Sequence, residues 1–406
     1  MLTDAAKRLI DYTRFETPSD EANPSCPSTP SQLEFAAYLE AELKALGLSA
    51  RTDKNGYVYS KIPSNIENYN GKTVGFIAHM DLSSDAPSHN TVVTVTENYV
   101  GGPIVRAGGD LTPENMPELS KYVGKTIVST DGNTLLGADD KAGIAEIVTL
   151  CEYLLAHPEI PHGDIAVAFT PDEEIGRGAD LFDVAGFGAD FAYTMDGGSL
   201  GEVEFETFNA AAAVVSITGK SIHPGSAKNR MVNAARVAME FDAALPAMAR
   251  PEHTEGYEGF FHLIDMSGCV EEAELRYILR DHDSALLEEK KALVESVAQM
   301  LNEKYGAGTV KTAIRDQYRN MAEVVTKFPE ILDLARRSFV ALGREPMSYP
   351  VRGGTDGATL SFMGLPCPNL GTGSHGHHGR NEFAVAEEME LAVLWMANIA
   401  AETAKL

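Results

Sequence analysis

Three short apolar runs, each ending in acidic or imidazole side chains, constrain this chain more than any other feature. Val74-Gly75-Phe76-Ile77-Ala78 leads into His79-Met80-Asp81, and Ile165-Ala166-Val167-Ala168-Phe169 leads into Thr170-Pro171-Asp172-Glu173-Glu174. Phe191-Ala192-Tyr193-Thr194-Met195 leads into Asp196-Gly197-Gly198. Nearly continuous apolar runs of this length are the profile of strands buried on both faces, as in a parallel sheet covered by helices. A helical stripe, Ile144, Ile147, Val148, Cys151, Leu154 and Leu155, separates the first two runs and stops at His157-Pro158. The pattern predicts a mainly parallel α/β sheet, in which functional groups collect beyond the carboxyl ends of the strands.

The stretch Leu136-Gly137-Ala138-Asp139-Asp140-Lys141-Ala142-Gly143 sits where that helix begins. Aspartates there cap free N–H groups and suit the positive end of the helix dipole. Recurring acids at the neighbouring strand ends add a second reading, a cation site.

Elsewhere, Leu2, Ala5, Ala6, Leu9, Ile10 and Thr13 recur at helical spacing, and residues 18–30 read as a Pro- and Ser-rich loop. Ser31 with Glu34 predicts a capping box for a helix carrying Phe35, Leu39, Leu43 and Leu46 and stopped by Gly47. Residues 86–135 read as a small antiparallel excursion with no chemistry of its own. From about Phe208 the texture changes to strand, helix, strand, strand, helix, strand, the ferredoxin-like split βαβ order. The expected division is therefore 1–207 with 316–406 as one domain and 208–315 as an insert. The predicted insert elements are 213–218, 229–244, 258–264, 273–280, 284–305 and 309–314. A helix near 331–342 closed by Gly343, the glycine-rich Arg352-Gly353-Gly354-Thr355-Asp356-Gly357 and a final helix near 387–404 complete the first domain.

Composition narrows the function. Lys and Arg total 33 against 59 Asp and Glu, a formal net charge of −26, which opposes binding to nucleic acid or an anionic membrane surface. Cys26, Cys151, Cys269 and Cys367 form no C-x-x-C pair, which favours a reducing, cytoplasmic setting over a disulfide scaffold. The N-terminal charges spoil a signal-peptide core, and the apolar run 391–401 is too short to span a bilayer.

His79 and Asp81 are two residues apart in an extended segment and share one side, so Asp81 is placed to accept the imidazole N–H. Glu173 and Glu174 repel one another unless something cationic compensates them. His, Asp, Glu, Asp and His donors suit zinc or a similar divalent ion and exceed the needs of one tetrahedral site. Two metals sharing one carboxylate, with hydrolysis of an amide bond as the reaction, follow from that donor set.

His79-Met80-Asp81, Gly137 to Gly143, Pro171-Asp172-Glu173-Glu174, Asp196-Gly197-Gly198, His223-Pro224-Gly225 and Arg352 to Gly357 together resemble one family almost end to end. It is the tripeptide aminopeptidase branch of the dinuclear-zinc peptidase, carboxypeptidase and aminoacylase superfamily. The fuller phrases Ala168 to Glu174 and Ser361 to Pro368 carry the likeness to that branch. The resemblance implies two zinc ions per subunit, with His79 and Asp196 on one, Glu174 and His378 on the other, and Asp139 bridging them. It makes Glu173 the general acid/base acting on a metal-bridging water and Asp81 the supporting acid. It also implies a cis peptide between Asp139 and Asp140, and a lid and dimerisation role for the insert. His223 is then the oxyanion-stabilising histidine, often supplied by a partner subunit. Arg280 and Arg352 suit a peptide carboxylate, for which a planar guanidinium is well shaped. Where the family has an aromatic residue before the ligand histidine, this chain has His375-Gly376-His377-His378. The position before Gly379 selects His378, with His377 and His375 as other registers.

The resulting expectation is a cytoplasmic homodimeric zinc aminopeptidase acting on short peptides, tripeptides foremost. A dipeptidase, a carboxypeptidase or an N-acyl amino acid amidohydrolase uses the same kind of site, and a non-catalytic metal-binding scaffold is a remoter alternative.

Overall fold

The computed structural model of the protein describes residues 2–406. The chain divides into two units. One comprises the residues up to Phe205 with Met321–Tyr349 and Thr355–Leu406; the other is Glu206–Asn320 with Pro350–Gly354.

The first unit is built on a seven-stranded sheet in the spatial order Ser49–Thr52, Val58–Ile62, Ile165–Thr170, Val74–His79, Phe191–Gly197, Asn369–Gly371, Val203–Glu204. The four strands from Ile165–Thr170 to Asn369–Gly371 run parallel, and the flanking strands are antiparallel. All six residues of Val74–His79 and of Ile165–Thr170 are buried, as continuous apolar runs require. Register pairs His79 with Thr170 and Ile77 with Thr194, so the polar residues that end three strands emerge at one level.

The helix Ala138–Ala156 packs against Val74–His79 and Phe191–Gly197, alongside the helices Asp4–Tyr12 and Ala386–Thr403. Gly143 permits this approach, because a Cβ there would meet the carbonyl oxygen of Met195 at 1.9 Å. Trp395 is fully buried, and its Nε1–H donates to Ala335 O at 2.8 Å, tying Ala386–Thr403 to the helix Pro329–Val340.

The capping box expected at Ser31 does not form. The helix starts one residue earlier, at Pro30, which suits the first helical position because its missing N–H has no intrahelical partner there. The excursion is antiparallel, but it does not stand apart: Val93–Thr96 and Ile127–Thr130 form a four-stranded sheet with Phe383–Val385 and Ser374–His375. It therefore carries the histidine cluster.

The second unit is ferredoxin-like. Its antiparallel sheet runs Phe260–Gly268, Glu272–Asp281, Asn209–Thr218, Val310–Tyr318, and the helices Ala234–Ala244 and Ser284–Tyr305 pack against it. Val237, Phe241, Val294 and Leu301 meet Val215, Leu275 and Tyr277 in its core. The first of these helices starts at Ala234 rather than near residue 229, because Asn229 has φ 58° and Asn233 caps the helix through Arg236 N. Residues 350–354 pack with this unit instead of continuing the first. Among the described residues, no helix is long and apolar enough to cross a membrane.

Candidate metal centre and catalytic residues

The strand ends bring His79, Glu174 and Asp196 around Asp139, which lies in the first turn of the helix Ala138–Ala156. His79 Nε2 is 2.9 Å from Asp139 Oδ1 and 3.5 Å from Asp196 Oδ1. The other oxygen, Asp139 Oδ2, lies 3.4 Å from His378 Nε2, which is itself 3.0 Å from Glu174 Oε2. The two oxygens of one carboxylate thus face two separate His/carboxylate pairs.

Asp140 also lies close enough to His79 and Asp196 to complete a three-residue cation group. Its oxygens are committed elsewhere: Oδ2 accepts the His79 backbone N–H at 3.1 Å and Oδ1 accepts Gly143 N–H at 3.2 Å. Asp139, linked to Asp140 by a cis peptide bond, is the member of the pair with both oxygens turned to the cluster.

The three histidines after Ser374 separate by environment. His375 is 6% exposed, its Nε2 lies 2.7 Å from the Tyr122 hydroxyl, and burial pushes its pKa down to about 3. His377 Nε2 is 2.8 Å from Ser374 Oγ, and its Nδ1 is 3.6 Å from Asp139. Of these three, His378 is the one paired with both Asp139 and Glu174, and Asp85 Oδ2 fixes its remaining Nδ1 at 2.9 Å. It does so with φ 62°, a left-handed conformation that costs a histidine about 1–3 kcal/mol and is held by its surroundings. Arg106 of the excursion supplies part of that hold, donating to Arg380 O at 3.0 Å and Asn381 Oδ1 at 2.7 Å.

Asp81 is positioned differently from the expectation. Its carbonyl oxygen, at 3.1 Å, is nearer to His79 Nδ1 than its carboxylate at 3.4 Å. The carboxylate instead accepts the backbone N–H groups of Glu173 at 2.9 Å and Glu174 at 3.1 Å. Fully buried, it fixes the 3-10 turn Glu173–Ile175 from inside. Asp172, with φ 59°, anchors the same turn by accepting Ser28 N–H and Gln32 Nε2–H.

Sequence reasoning missed Asp85, Arg106, Asn369 and Glu382. Asn369 Oδ1 accepts Asp196 N–H at 3.1 Å, and Glu382 accepts three N–H groups from Leu136, Gly137 and Asp139. Glu382 had a readable signal, a lone acid directly before the apolar run Phe383-Ala384-Val385. Asp85 sits in a polar stretch and Arg106 in a glycine-rich one, both without periodicity, where no such signal exists.

The electrostatics are those of a compressed mixed-charge cluster. Burial opposes protonation of His79, but Asp196, Asp139 and Asp81 outweigh it and hold the imidazole pKa well above the usual value. Burial, reinforced by Asp196, raises Glu173 well above the usual carboxyl range; burial raises Glu174 to about 7 against the pull of His378. Glu174 Oε1 is buried without a hydrogen-bond partner among the described residues. An orphaned carboxylate oxygen among carboxylates and imidazoles is the donor set a divalent cation satisfies, so these residues fit such a group.

The remaining expected residues lie in the second unit. His223 is exposed. Arg280 donates through Nη1 to Leu279 O at 2.9 Å and Ala211 O at 3.3 Å, and stacks over Tyr318. Arg352 donates to Gly256 O, Glu258 O and Thr254 Oγ1, with its guanidinium over Phe208 and Phe260.

The Peptidase dimerisation domain family matches residues 205–309. The tripeptidase of Staphylococcus aureus superposes with a TM-score of 0.78 at 21% identity, covering 100% of both chains. The aminopeptidase PepT of Bacillus cereus gives 0.76 at 20% identity over 99% of each. Parallel strands ending in a carboxylate and imidazole cluster, with a ferredoxin-like insert, define this chain as a metal-dependent peptidase. A peptidase T from Caldanaerobacter subterraneus subsp. tengcongensis is 50% identical over 396 residues, 97% of each chain. The chain belongs to the peptidase T family.

Proposed function

We propose that the protein is a zinc aminopeptidase that removes the N-terminal residue from short peptides, tripeptides foremost. The observation that carries this reading is the division of the Asp139 carboxylate between the His79–Asp196 and His378–Glu174 pairs. In this reading those five residues would hold two zinc ions, with Asp139 shared by the two pairs. The ions, when bound, supply Lewis acidity to the scissile carbonyl and lower the pKa of water toward about 7.

The protein's own groups do the rest. Glu173 accepts a proton from the attacking water and returns it to the leaving amine as the C–N bond breaks. Asp81 holds Glu173 through its backbone, and Asp85 orients His378. His223 belongs to oxyanion stabilisation and Arg280 to recognition of the peptide carboxylate. Arg352 is assigned with Arg280 to the peptide carboxylate, and its guanidinium also ties residues 254–258. The names tripeptidase and aminopeptidase carried by the two similar structures support the substrate class. The match to a dimerisation domain supports a homodimer formed through the insert, and four free cysteines suit a cytoplasmic setting.

A panel of di-, tri- and tetrapeptides with N-acyl amino acids, run with metal analysis, tests the reading. Highest kcat/KM on tripeptides with about two zinc ions per chain is the expected result. A strong preference for N-acyl amino acids overturns the tripeptidase assignment.

A further inference from the structure

One buried carboxylate outside the two ligand pairs spans the turns that carry Asp139 and His378. Glu382 is 1% exposed. Its Oε2 accepts Leu136 N–H and Gly137 N–H, each at 2.7 Å, and its Oε1 accepts Asp139 N–H at 3.0 Å. Its own N–H donates to Gly379 O at 3.2 Å, closing the turn just after His378. Three converging donors need an acceptor with two oxygens. An amide in its place would offer one oxygen and turn an NH2 against a donor.

Asp139 needs such a hold because its backbone is irregular, with φ −85° and ψ 103°, and Asp140 after it is non-helical too, with φ −120° and ψ 34°. No helical hydrogen bond is available to its N–H; Glu382 accepts it instead. The side chain that fixes Asp139 is thus rooted four residues beyond His378.

We propose that Glu382 is a positioning residue that keeps the Asp139 carboxylate in register with the His378–Glu174 pair, so that two cations bind together. This rests on Asp139 and His378 being ligands. A brace that served stability alone would lower the melting temperature yet leave cation binding by the folded protein unchanged.

The test uses full-length Glu382→Gln, Glu382→Asp and Asp139→Ala with cobalt(II) as the probe. It is read by calorimetry and by the visible absorption of the bound metal, with melting of the metal-free proteins and kcat and KM measured in parallel. Glu382→Gln is expected to bind cobalt about 10–100-fold more weakly, with an altered absorption band and a fall in kcat rather than a rise in KM. Glu382→Asp, which keeps both oxygens, should regain part of the affinity. Wild-type affinity and absorption in Glu382→Gln overturn the proposal, as does a loss accounted for entirely by the unfolded fraction. Should Glu382→Gln not fold, Glu382→Asp decides by its cobalt affinity and absorption: weaker binding with an altered band supports the role, and wild-type values overturn it. If Asp139→Ala still binds two cobalt ions, the ligand assignment itself has failed; if it loses them while Glu382→Gln does not, only the positioning role has.

Discussion

The carboxylate of Asp81 accepts the backbone N–H of Glu173 at 2.9 Å, so a residue at the end of one strand fixes the turn beyond its neighbour. With the second bond to Glu174 N–H, one buried side chain sets where both glutamates point.

Asp81→Ala leaves those two N–H groups without an acceptor. It is expected to cost about 1–3 kcal/mol of stability and to lower kcat/KM about 10–100-fold. Chemical denaturation and steady-state kinetics on a tripeptide check both; unchanged kinetics would remove Asp81 from the site's support.

Glu173→Ala should keep its metal and lose turnover by at least about 10²–10⁴-fold, the scale of general acid–base catalysis. Metal analysis of the purified variant alongside kcat is the measurement. Full activity would refute the assigned role.

Asp139 and Asp140 are adjacent but not equivalent. Asp139→Ala is expected to abolish paired cation binding. Asp140→Ala, which frees His79 N–H and Gly143 N–H, should cost about 1–3 kcal/mol of stability and leave a site that still binds two ions. Isothermal titration of both variants decides, and equal effects would mean the pair is wrongly divided.

Away from the site, Glu146 is fully buried with neither oxygen hydrogen-bonded among the described residues, and burial with nearby Glu388 raises its pKa well above normal. The folded protein therefore holds this proton to higher pH than the unfolded chain. The resulting stability is present below the unfolded pKa and declines as pH rises toward the folded one, by about 1.4 kcal/mol for each pH unit between them. Glu146→Gln should be more stable than the parent at pH 8, with the advantage shrinking toward pH 5. Urea denaturation at both values tests it, and a difference independent of pH would contradict it.

Much of the architecture was legible. Short continuous apolar runs such as Val74 to Ala78 fit strands covered on both faces, and a run of polar residues at each carboxyl end places chemistry there. The βαββαβ order of the insert was readable for the same reason, since its periodicities switch cleanly between strand and helix. Helix starts were less legible: Pro30 displaced the Ser31 box, and Asn229 with positive φ shortened the helix that begins at Ala234.

By itself the sequence determined the fold class, the strand-end clusters and which residue types suit a cation, because burial patterns and donor chemistry are local properties of the chain. Only the tertiary structure decided how those residues are held. That Asp81 serves the glutamate turn and that the excursion's sheet carries the histidine loop each depend on hydrogen bonds between segments far apart in the chain. Such bonds are set by distances across the folded molecule, and no spacing along the chain encodes them.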